Sequence, residues 1–170
     1  SYTSILGVLM SGGTYIPLSS NLPEKRVIKI IKKTKANIII CKSNKVSIYK
    51  KIFPKKKFLT EKNLSSTENN SKIKLKNLNE LAYIMFTSGS TGEPKGVCVS
   101  RNSLNHYVRW LVLNFKIKKG FKCSQFPEIS FDLSVADIYG TFCSGGTLIP
   151  ANTTYDKLFP GRFIKNKKIN

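Results

Sequence analysis

Residues 81–97 read Leu-Ala-Tyr-Ile-Met-Phe-Thr-Ser-Gly-Ser-Thr-Gly-Glu-Pro-Lys-Gly-Val. The apolar run Leu81–Phe86 predicts a strand. It leads straight into Thr87-Ser88-Gly89-Ser90-Thr91-Gly92, and Pro94-Lys95-Gly96 follows. Six small residues in a row cannot build a core, but they can wrap a phosphate chain. Glycine lets main-chain N–H groups come close to an anion, hydroxyls donate further hydrogen bonds, and Lys95 adds positive charge. A Walker loop needs G-x-x-x-x-G-K-[ST], and Lys95 stands beyond Gly92 and is followed by Gly96, so that spacing fails. A Gly/Ser linker is the plain alternative. It would not need a strand against each end, and Val97-Cys98-Val99 predicts the second one.

Working outward, the chain alternates helix and strand. Tyr2, Ile5, Leu6, Leu9 and Met10 have helical spacing, and Gly12-Gly13 ends that helix. Thr14–Leu18 predicts a short strand. Asn21 is expected to cap a helix with Pro23 and Glu24 in its first turn, carrying an apolar stripe of Val27, Ile30, Ile31 and Thr34. Asn37–Cys41 is β-branched, as in a buried parallel strand. After β-loop-β at 81–99, Asn102 or Ser103 is expected to cap a helix with Leu104, Tyr107, Val108, Leu111 and Phe115 on one face. Gly120 marks a turn and residues 122–126 a strand. Phe131-Asp132-Leu133-Ser134 opens a further helix bearing Val135, Ile138, Tyr139 and Phe142. Gly145-Gly146 closes it before the strand Thr147–Pro150. The order implies an α/β fold. Residues 50–79 are rich in Lys, Asn, Ser and Glu and read as a variable surface excursion with one short strand near Phe58. From Ala151 on the chain reads as a short tail.

The bulk composition bounds the function. A hydrophobic share of 41% with 10 Phe and 7 Tyr suits a folded domain. No apolar run reaches the roughly 20 residues that cross a bilayer. The first residues lack a basic leader region. The chain opens on Ser1 and not Met, and is expected to begin inside a longer protein. Four cysteines with no C-x-x-C pair, and His106 as the one histidine, argue against zinc and for buried free thiols in a reducing cytoplasm. The formal charge of +20 raises nucleic-acid or membrane binding as an alternative. Only Arg26, Arg101, Arg109 and Arg162 are Arg, however, and the Lys residues spread along the whole chain with Ile and Asn. Base readers favour Arg interleaved with aromatics, so a solvated Lys surface is the simpler reading.

YIMFTSGSTGEPKGV resembles the signature loop of the adenylate-forming enzymes, which include acyl-CoA synthetases, luciferases and amino-acid adenylation domains. SGGTYIPLSSNLPEKRVIKIIKKTKANIII and SQFPEISFDLSVADIYGTFCSGGTLIP are similar to flanking segments of amino-acid-activating members, with FDLSVADIY and SGGTL nearest the D-alanine–carrier protein ligases. The resemblance implies an α/β fold with a mixed or parallel sheet and flanking helices: residues 1–170 would be part of the N-terminal domain, with the excursion at 50–79 and without the C-terminal lid. It implies that Thr87, Ser88, Gly89, Ser90, Thr91 and Gly92 hold the β- and γ-phosphates of ATP and that Lys95 is catalytic. Asp132 would pair with a substrate ammonium group; as a plain alternative it is a helix cap. Phe131 accompanies it, and Leu133 and Ala136 would line the side-chain pocket. The implied reaction is attack of an amino-acid carboxylate on the α-phosphate, giving an aminoacyl-adenylate and pyrophosphate. The product would pass to the phosphopantetheine thiol of a carrier protein. Mg2+ would accompany ATP, with its ligands, the ribose-binding Asp and the lid Lys expected beyond Asn170, so that this stretch alone would be inactive. Arg101 stands where many members have His. An acyl-CoA or aryl-CoA ligase of the same superfamily is the nearest alternative, and a basic nucleic-acid-binding module the remote one.

Overall fold

The computed structural model describes residues 1–64, 80–88 and 93–170. The chain forms two compact units. The first holds residues 1–12 and the described residues from 23 to 64. Its elements are α1 (Tyr2–Met10), α2 (Glu24–Lys33), β1 (Ile38–Ile40), α3 (Ser43–Ile52), β2 (Lys57–Leu59) and α4 (Glu61–Leu64). The expected stripe is present on α2, where Val27, Ile30 and Ile31 are buried and Lys32 and Lys33 complement the carboxyl end of the helix dipole. The cap differs from expectation. Pro23 precedes the helix, and the Asn21 side chain is engaged elsewhere. Strands β1 and β2 pair in parallel, Ile38 opposite Lys57 and Ile40 opposite Leu59, with α3 as the crossover. Ile38 is half exposed, so β1 is parallel but not buried: a two-stranded pair of three residues each cannot be covered on both faces. Glu61 accepts from the backbone N–H and the hydroxyl of Ser43, the latter at 2.7 Å. These bonds hold its carboxyl below the usual range and place an anion at the amino end of α3.

The second unit holds residues 13–22 and the described residues from 80 to 170. Strands β3 (Leu81–Ser88) and β4 (Pro94–Ser100) form an antiparallel hairpin. Helix α5 (Arg101–Asn114) follows, then β5 (Lys122–Gln125), α6 (Leu133–Cys143) and β6 (Thr147–Pro150) as a second parallel crossover unit. Thr14–Leu18 does not make a strand. Only Tyr15 bridges, in parallel, to Tyr83 of β3. Its N–H donates to Ala82 O at 3.2 Å and its carbonyl accepts from Ile84 N at 3.0 Å; Pro17 has no N–H with which to continue the ladder. The cap of α5 is Ser100, whose hydroxyl accepts from Ser103 N, and not Asn102 or Ser103. The tail is structured as α7 (Thr154–Leu158) and α8 (Pro160–Lys167). Thr153 and Asp156 form a capping box, and Phe163 is buried with its ring 5.5 Å from Phe126. The thiols also depart from expectation: Cys98 and Cys143 are exposed, Cys41 and Cys123 half-buried.

Helix α6 is the centre of this unit. Val135, Ile138 and Tyr139 are buried along it. Close approach is permitted at two glycines. A Cβ on Gly140 would meet Leu111 Cδ2 of α5 at 2.7 Å, and a Cβ on Gly146 would meet the Phe121 carbonyl at 2.6 Å. The two contacts differ in kind. The Leu111 terminus can rotate away, and helix propensity favours Ala at position 140 by about 1 kcal/mol. The backbone carbonyl at Gly146 cannot yield without moving β5. We therefore expect Gly140→Ala to stay within about 1 kcal/mol of wild type, and Gly146→Ala to cost about 3 kcal/mol, in urea denaturation.

Candidate functional site

The hairpin register builds one end of the site. Thr87 lies directly opposite Lys95, and Ser88 opposite Pro94. Directly opposed residues share a face with Cβ atoms about 5 Å apart, so Thr87 and Lys95 are neighbours on one face at the strand end. Both are exposed. Gly89, Ser90, Thr91 and Gly92, which carry the rest of the expected phosphate contacts, lie outside the described residues. Gly96 has a local role: a Cβ there would meet Ile84 Cγ2 at 3.0 Å and the Phe86 ring at 3.1 Å, so its absence lets these side chains of β3 lie across β4.

The other end is the turn into α6. Phe131 N donates to Glu128 O at 2.9 Å, and the fully buried Ser134 hydroxyl donates to Phe131 O at 2.6 Å. Asn21 Nδ2 donates to Glu128 Oε1 at 2.7 Å, which fixes the Pro127–Ser130 stretch against the loop that follows Tyr15. Bonds from Ser19 and Asn21 hold the Glu128 carboxyl below its usual range. Asp132 is the N-cap of α6, and its Oδ1 accepts from Leu133 N at 2.9 Å. The cap role is thus real, but it leaves most of the carboxylate's acceptor capacity open. Asp132 is exposed, and the amino end of the helix favours its negative charge.

Asp132 sits at a cleft of about 270 Å3. Tyr83 of β3 and Val99 of β4 line one side, Ser103, Leu104 and Tyr107 of α5 another, and Leu133 and Val135 accompany Asp132 from α6. The structure thus brings Asp132 and Leu133 together. Phe131 is exposed and Ala136 half-buried, and neither is among the walls. Burial first, and the charge of Asp132 next, push the Tyr83 phenol up. An apolar cleft with one carboxylate at its rim suits a small ligand with a cationic group beside an apolar part. Leu104, Tyr107 and Tyr83 were not expected as walls. Their signal was present: Leu104 and Tyr107 extend the stripe of α5 away from the buried pair Val108 and Leu111, which a core-only helix face would not need. Arg101 begins α5 and donates through a terminal guanidinium nitrogen to Gly13 O at 2.7 Å, while His106 is exposed on the same helix. Among the described residues no three His, Cys, Asp or Glu side chains converge as a metal site requires. Among them, too, no helix is long and apolar enough to cross a membrane.

A model of the AMP-binding enzyme family matches residues 1–170. The D-alanine–D-alanyl carrier protein ligase of Listeria monocytogenes is 32% identical over 155 residues, which cover 89% of this chain and 30% of the ligase. A mycosubtilin synthase protein of Bacillus subtilis is 30% identical over 147 residues, covering 85% of this chain and 6% of that protein. Among solved structures, the Vibrio cholerae adenylation domain AlmE in complex with glycyl-adenosine-5'-phosphate superposes with a TM-score of 0.81 at 25% identity, covering 99% of this chain and 36% of AlmE. The chain thus spans about a third of the length of the ligase it matches.

One group near the site titrates in an accessible range. Burial pushes the Asp137 carboxyl of α6 from 3.8 up to about 6. Between those values the folded chain keeps a proton that the unfolded chain has released, so this group makes stability fall as pH rises through the window and stay lower above it. Asp137→Asn is expected to raise the melting temperature at about pH 7.5 and to leave it nearly unchanged at about pH 4, read by thermal denaturation across pH.

Proposed function

The chain belongs to the AMP-binding enzyme family, and from that premise we propose that it carries the phosphate loop and the ammonium anchor of an amino-acid-activating ligase. Asp132 carries the reading. It is a helix-capping carboxylate with open acceptor positions, exposed at the rim of an apolar cleft. A fatty acid offers that carboxylate no donor and a substituted aryl acid at most a neutral one, whereas an amino acid offers an ammonium group. The relatives support the same class: one is a D-alanine–D-alanyl carrier protein ligase, and AlmE was solved with glycyl-adenosine-5'-phosphate.

The substrate carboxylate attacks the α-phosphorus of ATP, the bond to the bridging oxygen breaks, and pyrophosphate leaves with an aminoacyl-adenylate formed. Such a step needs alignment and neutralisation of charge more than covalent help from the protein. Thr87, Ser88 and residues 89–92 hold the phosphates in this reading, Lys95 neutralises the charge that builds on them, and Asp132 holds the ammonium group. Phe131, Leu133 and Ala136 remain assigned to the substrate side. Mg2+ would accompany ATP and add to the neutralisation of its phosphates. The activated amino acid passes to a carrier-protein phosphopantetheine thiol. The protein works in the cytoplasm, which its four free thiols suit.

ATP–pyrophosphate exchange on the intact protein, across the proteinogenic amino acids, D-alanine, fatty acids and aryl acids, tests the reading. Exchange is expected with amino acids; exchange driven only by fatty or aryl acids would point to a CoA ligase instead. Asp132→Ala is expected to raise the amino-acid KM about 10- to 100-fold through loss of a charge-assisted bond. Lys95→Ala is expected to lower turnover about 100-fold with a smaller effect on that KM. Identical kinetic profiles for the two variants would count against separate roles.

A further inference from the structure

Tyr15 and Tyr139 are 124 residues apart, and Tyr139 Oη donates to Tyr15 Oη at 2.9 Å. Both residues are buried, with 5% and 7% of their surface exposed for Tyr139 and Tyr15. Each hydroxyl therefore stands where an unmade bond is costly. Tyr15 is also the one residue of its segment that pairs with β3, through two backbone bonds that flank Tyr83, and its ring lies 5.6 Å from the Tyr83 ring. Tyr139 is on α6, seven residues beyond Asp132. Seven residues are two helical turns, so the two positions share a face of α6 about 10.5 Å apart along its axis. Tyr83 and Asp132 line the same cleft. The pair of hydroxyls thus joins the strand that carries the phosphate loop to the helix that carries the ammonium anchor. From Tyr83 to Ser88 the strand advances about 17 Å toward that loop.

We propose that the Tyr139–Tyr15 hydrogen bond is a positioning strut that sets Asp132 against β3, and so fixes where an amino-acid substrate is held relative to the phosphate loop. The proposal rests on the reading of Asp132 as the ammonium anchor. Neither tyrosine touches the substrate; both act through the placement of α6. Val135 and Ile138 would hold the helix in the sheet without them, but apolar packing tolerates a small slide along the helix axis, and a directional bond does not.

The test is made on the intact protein with the amino acid that gives the strongest pyrophosphate exchange. Tyr139→Phe and Tyr15→Phe keep the ring and remove one hydroxyl each. Either is expected to raise the amino-acid KM about three- to tenfold, with the ATP KM nearly unchanged. Each single variant also leaves one buried hydroxyl without its partner and lowers the melting temperature. The double Phe variant has no orphaned hydroxyl, so its melting temperature is expected to recover while its amino-acid KM stays raised. Three results would overturn the strut: a wild-type amino-acid KM in Tyr139→Phe, a parallel rise in both KM values, or recovery of the KM together with the melting temperature in the double variant. Asp132→Asn separates the two ideas. A raised amino-acid KM in Asp132→Asn with no effect of the tyrosine variants overturns the strut alone, and an unchanged KM in Asp132→Asn overturns both.

Discussion

Helix α6 is approached at less than the width of a side chain on one flank and in the turn just past its carboxyl end. Gly140 admits Leu111 of α5, and Gly146 admits the backbone of Phe121 at the mouth of β5. With those two contacts and the buried run Val135, Ile138 and Tyr139, the helix has little freedom to rotate or shift. Everything at its amino end inherits that rigidity. Ser134 locks the preceding turn with a buried hydroxyl, and Asp132 caps the first turn. The carboxylate is exposed, yet its position is decided by packing that lies several turns away.

The hairpin is governed by the opposite principle. Its register is set by backbone bonds along seven residues of β4, and side-chain burial is concentrated on β3, at Ala82, Tyr83 and Met85. Polar residues gather at the loop end, where Thr87 faces Lys95. The ladder brings Thr87 and Ser88 of one strand end beside Pro94 and Lys95 of the other. In the proposed reading, affinity for phosphate and placement of the amino acid come from different parts of the fold, one from a ladder and one from a packed helix.

Much of this was legible in the sequence because strong periodicity reports burial. Strand 81–86, helix stripe 27–31 and the helix after Asp132 stand where the pattern puts them. Capping was less legible. Asn21 and Ser103 are both good capping residues by type, but Asn21 is used by Glu128 and the helix starts earlier, at Arg101, so that Ser100 caps it. The helices of the tail escape notice because α7 and α8 are short and α8 is strongly basic, although Thr153 and Asp156 hold the spacing of a capping box. The exposed thiols escape it for a different reason. Cys98 lies in an apolar run, but Val97 and Cys98 point to opposite faces of β4 and both are exposed, and the run alone does not say that a face is left uncovered. Asp132 is visible through its motif; the cleft beside it is less so, because Tyr83 comes from β3 and Leu104 and Tyr107 from α5, and only the assembled fold sets these two elements against Asp132.

The unpaired edge of β4 has a consequence for handling the protein. Among the described residues β4 pairs only with β3, and Lys95, Val97 and Cys98 on it are exposed. Such an edge is a template on which a second chain can add a strand, and Val97 favours that addition. Lys95 opposes it, because stacking two copies edge to edge would bring like charges together. The residue assigned to the nucleotide therefore also acts as a gatekeeper against self-association. Replacing it with a neutral side chain trades colloidal solubility along with chemistry, and Cys98 on the same edge would turn a transient encounter into a disulfide-linked dimer under oxidising conditions.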